Sequence, residues 1–404
     1  MSRELPMSAR KDITKKFAKQ YAKAGRKEKA EILDVLVKAT GWHRDHARRA
    51  IRGASLRKGP VAHQQRKPRP RKYSYDALVV LQEVWRLTGQ PCGKYLAAVM
   101  DDQLERLVRF RELGKVKPRA TPAVLAELKT MSPATIDRYL KPHRDSVYPL
   151  ESLSGTRPSH ILRSSIPVSS CLDPGPNTPG LFELDTVAHC GFSLKGEFFW
   201  TLSATDPLLG WTLMRTVKNK AFANIHPGLD WIRTHSPYPI TTMDFDNGSE
   251  FINWAVVAWA DSHNIQVTRG RPLKKNDNAH IEQRNGDWIR KHAFRYRYET
   301  PREMELLNEL WGLVMARKNH LLPCVKVIGS TQTTSGRRRL IYDKPATPYA
   351  RLIASGILDE KAKTRLETEH ARLNPARITR RINGIQNELT QLAAFRTQTG
   401  RQAA

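Results

Sequence analysis

A chain of 404 residues with 40% hydrophobic side chains has material for one to three packed cores. Its 68 Lys and Arg against 39 Asp and Glu leave a formal net charge of +29, a field that favours a polyanionic partner. No run approaches the roughly 20 apolar residues that cross a bilayer, and MSRELPMSARKDITKKF lacks a signal-peptide core, so a cytoplasmic protein with no membrane partner is expected.

The charge is unevenly placed, because residues 1–72 hold 22 basic and 6 acidic side chains. No basic amphipathic helix with a bulky apolar face points to a membrane surface, so nucleic acid is the expected partner. The four cysteines, Cys92, Cys171, Cys190 and Cys324, are far apart and lack metal-ligand spacing; buried free thiols are expected.

In chain order, residues 27–38 place Ile32, Leu33, Leu36 and Val37 on one helical face. Gly41 can turn the chain into a second helix, His43 to Ile51, carrying Arg44, Arg48 and Arg49. Helix, glycine turn and basic helix form a helix-turn-helix pattern whose second helix suits the major groove, although any three-helix bundle could show it. Residues 52–72 contain eight basic residues, no acids and several prolines, and read as a linker; Arg69, Arg71 and Lys72 could track phosphates. The helical pattern resumes at Tyr73. It ends near Arg144 with Ser132 as a candidate N-cap, so a second helix-turn-helix unit with Arg138 and Lys141 facing DNA fits.

A Pro/Ser/Gly-rich joint spans residues 154–180. Beyond it, LFELDTVAH, EFFWTLSATD and WTLMRTVK read as three strands. Helix AFANIHPGLDWIRTH, strand PITTMDFD, helix SEFINWAVVAWADSH and strand IQVTRG follow, then a polar loop, RPLKKNDN, and a helix over residues 279–297. Three sequential strands and then alternating helix and strand describe a mixed sheet in the ribonuclease H-like order. A helix near 301–320 precedes a small β-rich module at 325–349. The tail, residues 359–396, carries Ile378, Ile382, Ile385, Leu389 and Leu392 at a spacing that suits an amphipathic helix. It could pack on its own body or on another subunit.

Three acids stand out by position: Asp185 inside the first strand, Asp246 closing the fourth, and Glu282 early in a helix. Each alone has an ordinary explanation as a strand acceptor, an Asp-Asn-Gly turn or a helix N-terminal acid. Converging, they would raise one another's pKa, and a pair of hard divalent cations would relieve that. Mg²⁺, with Mn²⁺ able to substitute, would activate the attacking hydroxyl and stabilise the leaving oxygen of an in-line displacement; Asp185 would bridge both ions. Asp244 would face the same side as Asp246 and competes for the second position. Asp206 and Asp277 fit turn and helix caps, and Trp254 and Trp259 fit a core. Lys274, Lys275, Arg284, Arg290 and Lys291 could hold phosphates or line a solvated face.

At these residues the sequence resembles the retroviral-integrase-type (DDE) catalytic core of bacterial insertion-sequence transposases, from about Leu181 to Arg297. The resemblance rests on Asp185-Thr186, on Asp246-Asn247-Gly248 with Glu250-Phe251, and on Asn276-Asp277-Asn278-Ala279 leading to Glu282. Between Asp246 and Glu282 lie 35 residues. More weakly, YDKPATPYARL resembles the region downstream of such cores. The resemblance implies a polynucleotidyl transferase that cuts the 3′ end of a mobile element and joins it to target DNA. It also implies a bacterial, nucleoid-associated location. His43 and His46 have no partner CxxC, so the zinc module of retroviral integrases is not expected.

The expected organisation is multidomain: N-terminal all-α helix-turn-helix units, a central α/β ribonuclease H-like mixed sheet, and a small C-terminal β-rich module with a helical tail. The segments are 1–53 (helix-turn-helix), 54–72 (basic linker), 73–150 (second helical DNA-binding unit), 175–322 (catalytic core), 323–356 (β-rich module) and 357–404 (tail). Expected partners are double-stranded DNA, both element ends and target, and further copies of the chain, with an accessory ATPase left open. The rival readings are a nuclease of the same fold without strand transfer and an inactive DNA-binding regulator.

Overall fold

In the computed structural model of the chain, residues 7–56, 72–147, 178–245, 254–269, 286–332 and 338–402 are described. The chain divides into two compact units, Met1–Arg71 and Lys72–Ala404.

The first unit holds α1 (Met7–Lys23), α2 (Arg26–Thr40) and α3 (Arg44–Leu56), closed around Tyr21, Leu33, Leu36, Ala47 and Ile51. Gly41 ends α2 at φ 69°, a left-handed conformation that glycine adopts without steric cost, and its N–H donates to the Val37 carbonyl at 2.8 Å. The glycine turn between α2 and α3 therefore falls where the sequence placed it.

The second unit opens with α4 (Tyr75–Leu87), α5 (Gly93–Arg109), a 3₁₀ turn (Gly114–Arg119), α6 (Pro122–Lys129) and α7 (Pro133–Val147). Ser74 and Thr121 cap α4 and α6 by accepting the N–H groups of Ala77 and Val124. The Ser132 hydroxyl meets that of Thr135 at 2.9 Å. The start of α5 abuts that of α7 so closely that a Cβ on Gly93 would lie 2.3 Å from the Pro133 carbonyl. There the Asp137 carboxylate accepts the Gly93 N–H at 2.8 Å.

A five-stranded sheet follows: β1 (Leu181–Ala188), β2 (Trp200–Thr205), β3 (Thr212–Val217), β4 (Thr242–Phe245) and β5 (Gln266–Arg269), in the order β3-β2-β1-β4-β5. β2 runs antiparallel to both β1 and β3, whereas β1, β4 and β5 are parallel. One face buries Phe182, Leu184, Leu202, Leu213, Met243 and Phe245 with residues of α8 (Phe222–His235) and α9 (Trp254–Ser262). On the other, Val187, Phe199 and Met214 join α10 (Pro301–Ala316) and the tail.

A π-helical turn (Arg317–Leu321) ends α10; it leads to the hairpin β6 (Val327–Gln332) and β7 (Arg338–Tyr342), then α11 (Pro348–Ser355), α12 (Glu360–Arg372) and α13 (Pro375–Gln402). The mixed sheet is thus flanked by helical regions on both sides in sequence. The tail packs on its own body, burying Ile378, Ile382, Ile385 and Leu389 with Leu310 and Trp311, while Leu392 stays 38% exposed.

Ile378 to Leu392 lie on one helix, α13, and α12 precedes it as a separate helix, because Pro375 disfavours helical geometry at Asn374, whose Oδ1 instead caps α13 through the N–H groups of Ala376 and Arg377. Two expectations change. The helix expected to reach residue 297 is seen as Gly286–Arg290 and Lys291–Ala293, and it stops where Phe294 takes φ 57°. The thiols of Cys92, Cys190 and Cys324 are free, but Cys92 is exposed just before α5 and the other two are half-buried; Cys171 lies outside the described residues. Among the described residues no helix is long and apolar enough to cross a membrane.

Asn319 closes the edge of β3: its Oδ1 accepts the Thr212 N–H at 3.0 Å and its Nδ2 donates to the Thr212 carbonyl at 2.8 Å. Both Thr212 and Asn319 are buried. Asn319→Ala is expected to cost about 2 kcal/mol by leaving two buried backbone groups unpaired. Urea unfolding should show a lower midpoint with an unchanged slope.

Candidate active site

Alternation along β1 sends Phe182 and Leu184 into the apolar core under α8 and α9, and Glu183 and Asp185 to the opposite face. Strand pairing sets Ser203 beside Asp185. Thr205 and Asp244 flank Glu183 on the two sides, and Thr268 lies beside Asp244. This face of β1, β2, β4 and β5 is a band of carboxylates and hydroxyls. Asp185 is half-buried, and its Oδ1 accepts the Thr186 N–H at 2.7 Å. The Thr268 hydroxyl donates to Asp244 Oδ1 at 2.6 Å.

The register aligns the end of β4 with Asp185. Leu184 pairs with Phe245, and Phe245 immediately precedes Asp246 in the chain. Asp246 and Glu282 themselves lie outside the described residues, as do Arg69, Arg71, Lys274, Lys275, Asp277 and Arg284. Among the described residues no group of three or more His, Cys, Asp or Glu could hold a metal ion. Beyond Glu282 in sequence, Ile289 and Ala293 belong to the buried cluster that also holds Val187, two residues past Asp185. Sequence reasoning missed Glu183, whose position on the Asp185 face and opposite Asp244 follows only from the register.

Two polar groups near the site are structural. Asp206 is fully buried: Oδ1 accepts the N–H groups of Leu208 and Leu209, and Oδ2 accepts the Gly180 N–H and the Tyr238 hydroxyl. It therefore caps the β2–β3 turn as expected, and burial pushes its pKa up despite the four donors. His189, just past β1, bonds through Nε2 to the Thr201 hydroxyl at 2.7 Å. Burial, and then the charge of Arg290, lower its pKa to about 3.

The expected DNA-contacting cations separate by their surroundings. Arg44 is ion-paired with Asp34 and its Nη2 reaches the Ala30 carbonyl, so it fastens α3 to α2. Arg48 pairs with Asp45 at 3.0 Å and Lys141 pairs with Asp145. Arg49 and Arg138 are exposed and make no ion pair among the described residues. Arg52, which the sequence reading passed over, is exposed on α3 in the same way. The Lys72 ammonium sits 5.3 Å from the Tyr73 ring, and Lys291 is exposed. Trp259 is core, 7% exposed; the Trp254 side chain lies outside the described residues.

Fold and site define a mixed α/β protein with helical regions before and after its sheet and a half-buried aspartate on the central strand. The chain belongs to the family of the "Uncharacterized protein y4rM" of Sinorhizobium fredii (strain NBRC 101917 / NGR234), with 31% identity over 355 residues that cover 87% of this chain and 97% of the relative. No protein-family model matches the chain. Among solved structures, it is similar to the catalytic core domain of BIV integrase at 14% identity and a TM-score of 0.30, covering 44% of this chain and 95% of that one.

The histidines predict the pH response. Burial lowers His189 and His320 to about 3 and His292 and His370 to about 4, from an ordinary 6.5, so the folded state keeps them neutral. Their contribution is complete above about pH 6.5 and is lost as pH falls toward 4, because the unfolded chain then binds more protons. Each can add up to about 1.4 kcal/mol per pH unit to the slope. Unfolding midpoints measured from pH 7 to 4 should fall steeply, and His189→Gln should flatten the decline. An unchanged slope in that variant would oppose the assignment.

Proposed function

We propose that this protein is a DNA transposase or integrase of ribonuclease H-like fold, which cuts the 3′ ends of a mobile element and joins them to target DNA. One observation carries the reading. The chain on either side of Asp246 and Glu282 returns to the surroundings of β1: Phe245 pairs with Leu184, and Ile289 belongs to the same buried cluster as Val187. Asp246 is one residue from Phe245 and Glu282 seven from Ile289. The strand order and directions support the ribonuclease H-like part of the reading.

Asp185, Asp246 and Glu282 would hold two Mg²⁺ ions, or Mn²⁺, since an all-carboxylate donor set that includes the half-exposed Asp185 suits hard divalent cations. Bound there, the ions would supply an activated hydroxyl and charge neutralisation at the leaving oxygen. Asp244, held by Thr268, would keep its carboxylate turned to β5, which favours Asp246 for the second position. The exposed cations of α3 and α7, Arg49, Arg52 and Arg138, would take phosphates, with α3 in a major groove. DNA ends and target must be held together during joining, so a homo-oligomer on DNA is part of the proposal; an accessory ATPase is compatible with it.

Two tests separate chemistry from binding. With Mg²⁺ and duplexes carrying the element ends, Asp185→Asn, Asp246→Asn and Glu282→Gln should each lower joining at least a thousandfold, with duplex affinity within about threefold of wild type. Normal joining by any one of them overturns its place in the triad. Cut ends without joined product from the wild-type protein would instead identify a nuclease, and binding without cleavage a regulator. Separately, Arg49→Ala should weaken DNA binding across sequences and reduce the slope of log affinity against log salt by about 1. An unaltered slope would remove Arg49 from the interface.

A further inference from the structure

Beyond β1 the chain builds a platform that the proposed chemistry does not use. Residues 189–199 form the loop between β1 and β2, and the segment 294–299 lies against it. The His189 N–H donates to the Phe199 carbonyl at 3.0 Å, the Phe199 N–H to Tyr298 at 2.9 Å, and the Tyr298 N–H back to His189 at 3.2 Å. Cys190 and Arg297 form a further bridge. The Arg297 guanidinium donates to the Ser193 and Glu197 carbonyls at 3.2 and 2.7 Å, and its Nε to Glu299 at 2.6 Å. Gly191 (φ 63°) and Gly196 (φ 80°) let the loop close over this arginine, since added Cβ atoms would lie 3.2 Å and 2.9 Å from Arg297 atoms.

So rigid a support carries an unusual surface. Phe192 is 60% exposed, Leu194 73% and Phe294 41%, and Phe294 holds φ 57°, which bulky residues rarely adopt. Lys195, Arg290, Lys291 and Arg295 are exposed on the same two segments or the turn entering them, and none makes an ion pair among the described residues. Among the described side chains of these segments the acids are Glu197, which is exposed, and Glu299, which is engaged by Arg297.

We propose that this platform is a second duplex-DNA surface, in which Phe192, Leu194 and Phe294 press between base steps while Lys195, Arg290, Lys291 and Arg295 take phosphates. Apolar tips in a cationic field match a partner that offers both phosphates and base faces. The loop begins four residues after Asp185, about 13 Å along an extended strand, which places the deformed steps near the candidate active site. The proposal rests on the reading of the protein as one that handles DNA, and adds where the duplex is distorted.

The test uses the full-length protein and duplexes with 2-aminopurine scanned across the bound region, whose fluorescence rises when its base unstacks. Wild type should give a several-fold rise at one or two adjacent positions. The double variant Phe192→Ser with Leu194→Ser should abolish it while keeping affinity within about tenfold, the remaining contacts being phosphates. Phe294→Gly, which keeps the backbone conformation without the ring, should do the same with no loss of thermal stability. Lys195→Ala with Arg295→Ala should lower the salt slope by about 2. Unchanged fluorescence in the first two variants together with an unchanged slope in the third overturns the proposal. So does a change in sedimentation mass with DNA signals intact, which would mark a protein interface. Joining without any unstacking signal would sink this inference alone, and unstacking without joining or cleavage would sink the transferase reading alone.

Discussion

The π-helical turn Arg317–Leu321 is the constraint on which the second unit depends, because five consecutive residues are buried there and each engages a different part of the fold. Asn319 pairs with both backbone groups of Thr212 on β3. Arg317 donates to Thr379 of α13, whose hydroxyl reaches the Leu87 carbonyl at the end of α4. Lys318 lies 3.7 Å from the Trp288 ring, His320 sits among Trp211, Tyr349 and His370, and the Leu321 carbonyl accepts from Gln103 of α5. Burying a guanidinium is expensive, and it lowers the Arg317 pKa to about 10.

The same logic of faces separates the enclosed acid from the half-exposed one proposed for chemistry. Asp206 is enclosed, with four donors converging on its two oxygens, and can only hold a turn. Asp185 stands half-exposed on the polar face of the central strand, opposite a serine and one strand from Asp244. The apolar face beneath, Phe182 and Leu184 among them, fixes the register, since a slip of one residue would turn Asp185 into the core. The position of this carboxylate is set by the burial of its neighbours on the opposite face of the strand.

Much of this was legible because it depends on local pattern. Alternation marked β1, glycine marked the turn after α2, and the isolated Asp206 in a Thr-Asp-Pro turn read as a cap. What was not legible depends on partners distant in sequence. Glu183 acquires meaning only when β4, some 60 residues later, sets Asp244 beside it. Arg44 reads as a DNA contact from helix position alone, yet Asp34 on the preceding helix claims it. The helix leading to residue 297 fits its periodicity, but pairing of residues 297 and 298 with the loop after β1 takes the chain out of helix at Phe294. The break at Asn374-Pro375 is local, because proline restricts the residue before it whatever the apolar spacing around it.

Net charge is therefore a weaker guide to the interface than the pairing state of each cation. Arg106 donates to Asp102 and to two carbonyls near the end of α12. Arg351 is held by Asp343, Arg380 by Glu112 and Arg381 by Glu309. These arginines weld the C-terminal helices to the body, and the bare count of +29 does not distinguish them from the rest. The exposed pairs among them contribute little stability each, but an arginine already bridging a carboxylate has little left to offer a phosphate. Among the exposed cations that make no ion pair among the described residues are Arg49 and Arg52 on α3, Arg138 on α7, and those about the platform that follows β1. On the proposed reading, such a distribution separates broad attraction, which any unpaired lysine supplies, from positions where a fixed backbone and an exposed ring would impose a particular geometry on a bound duplex.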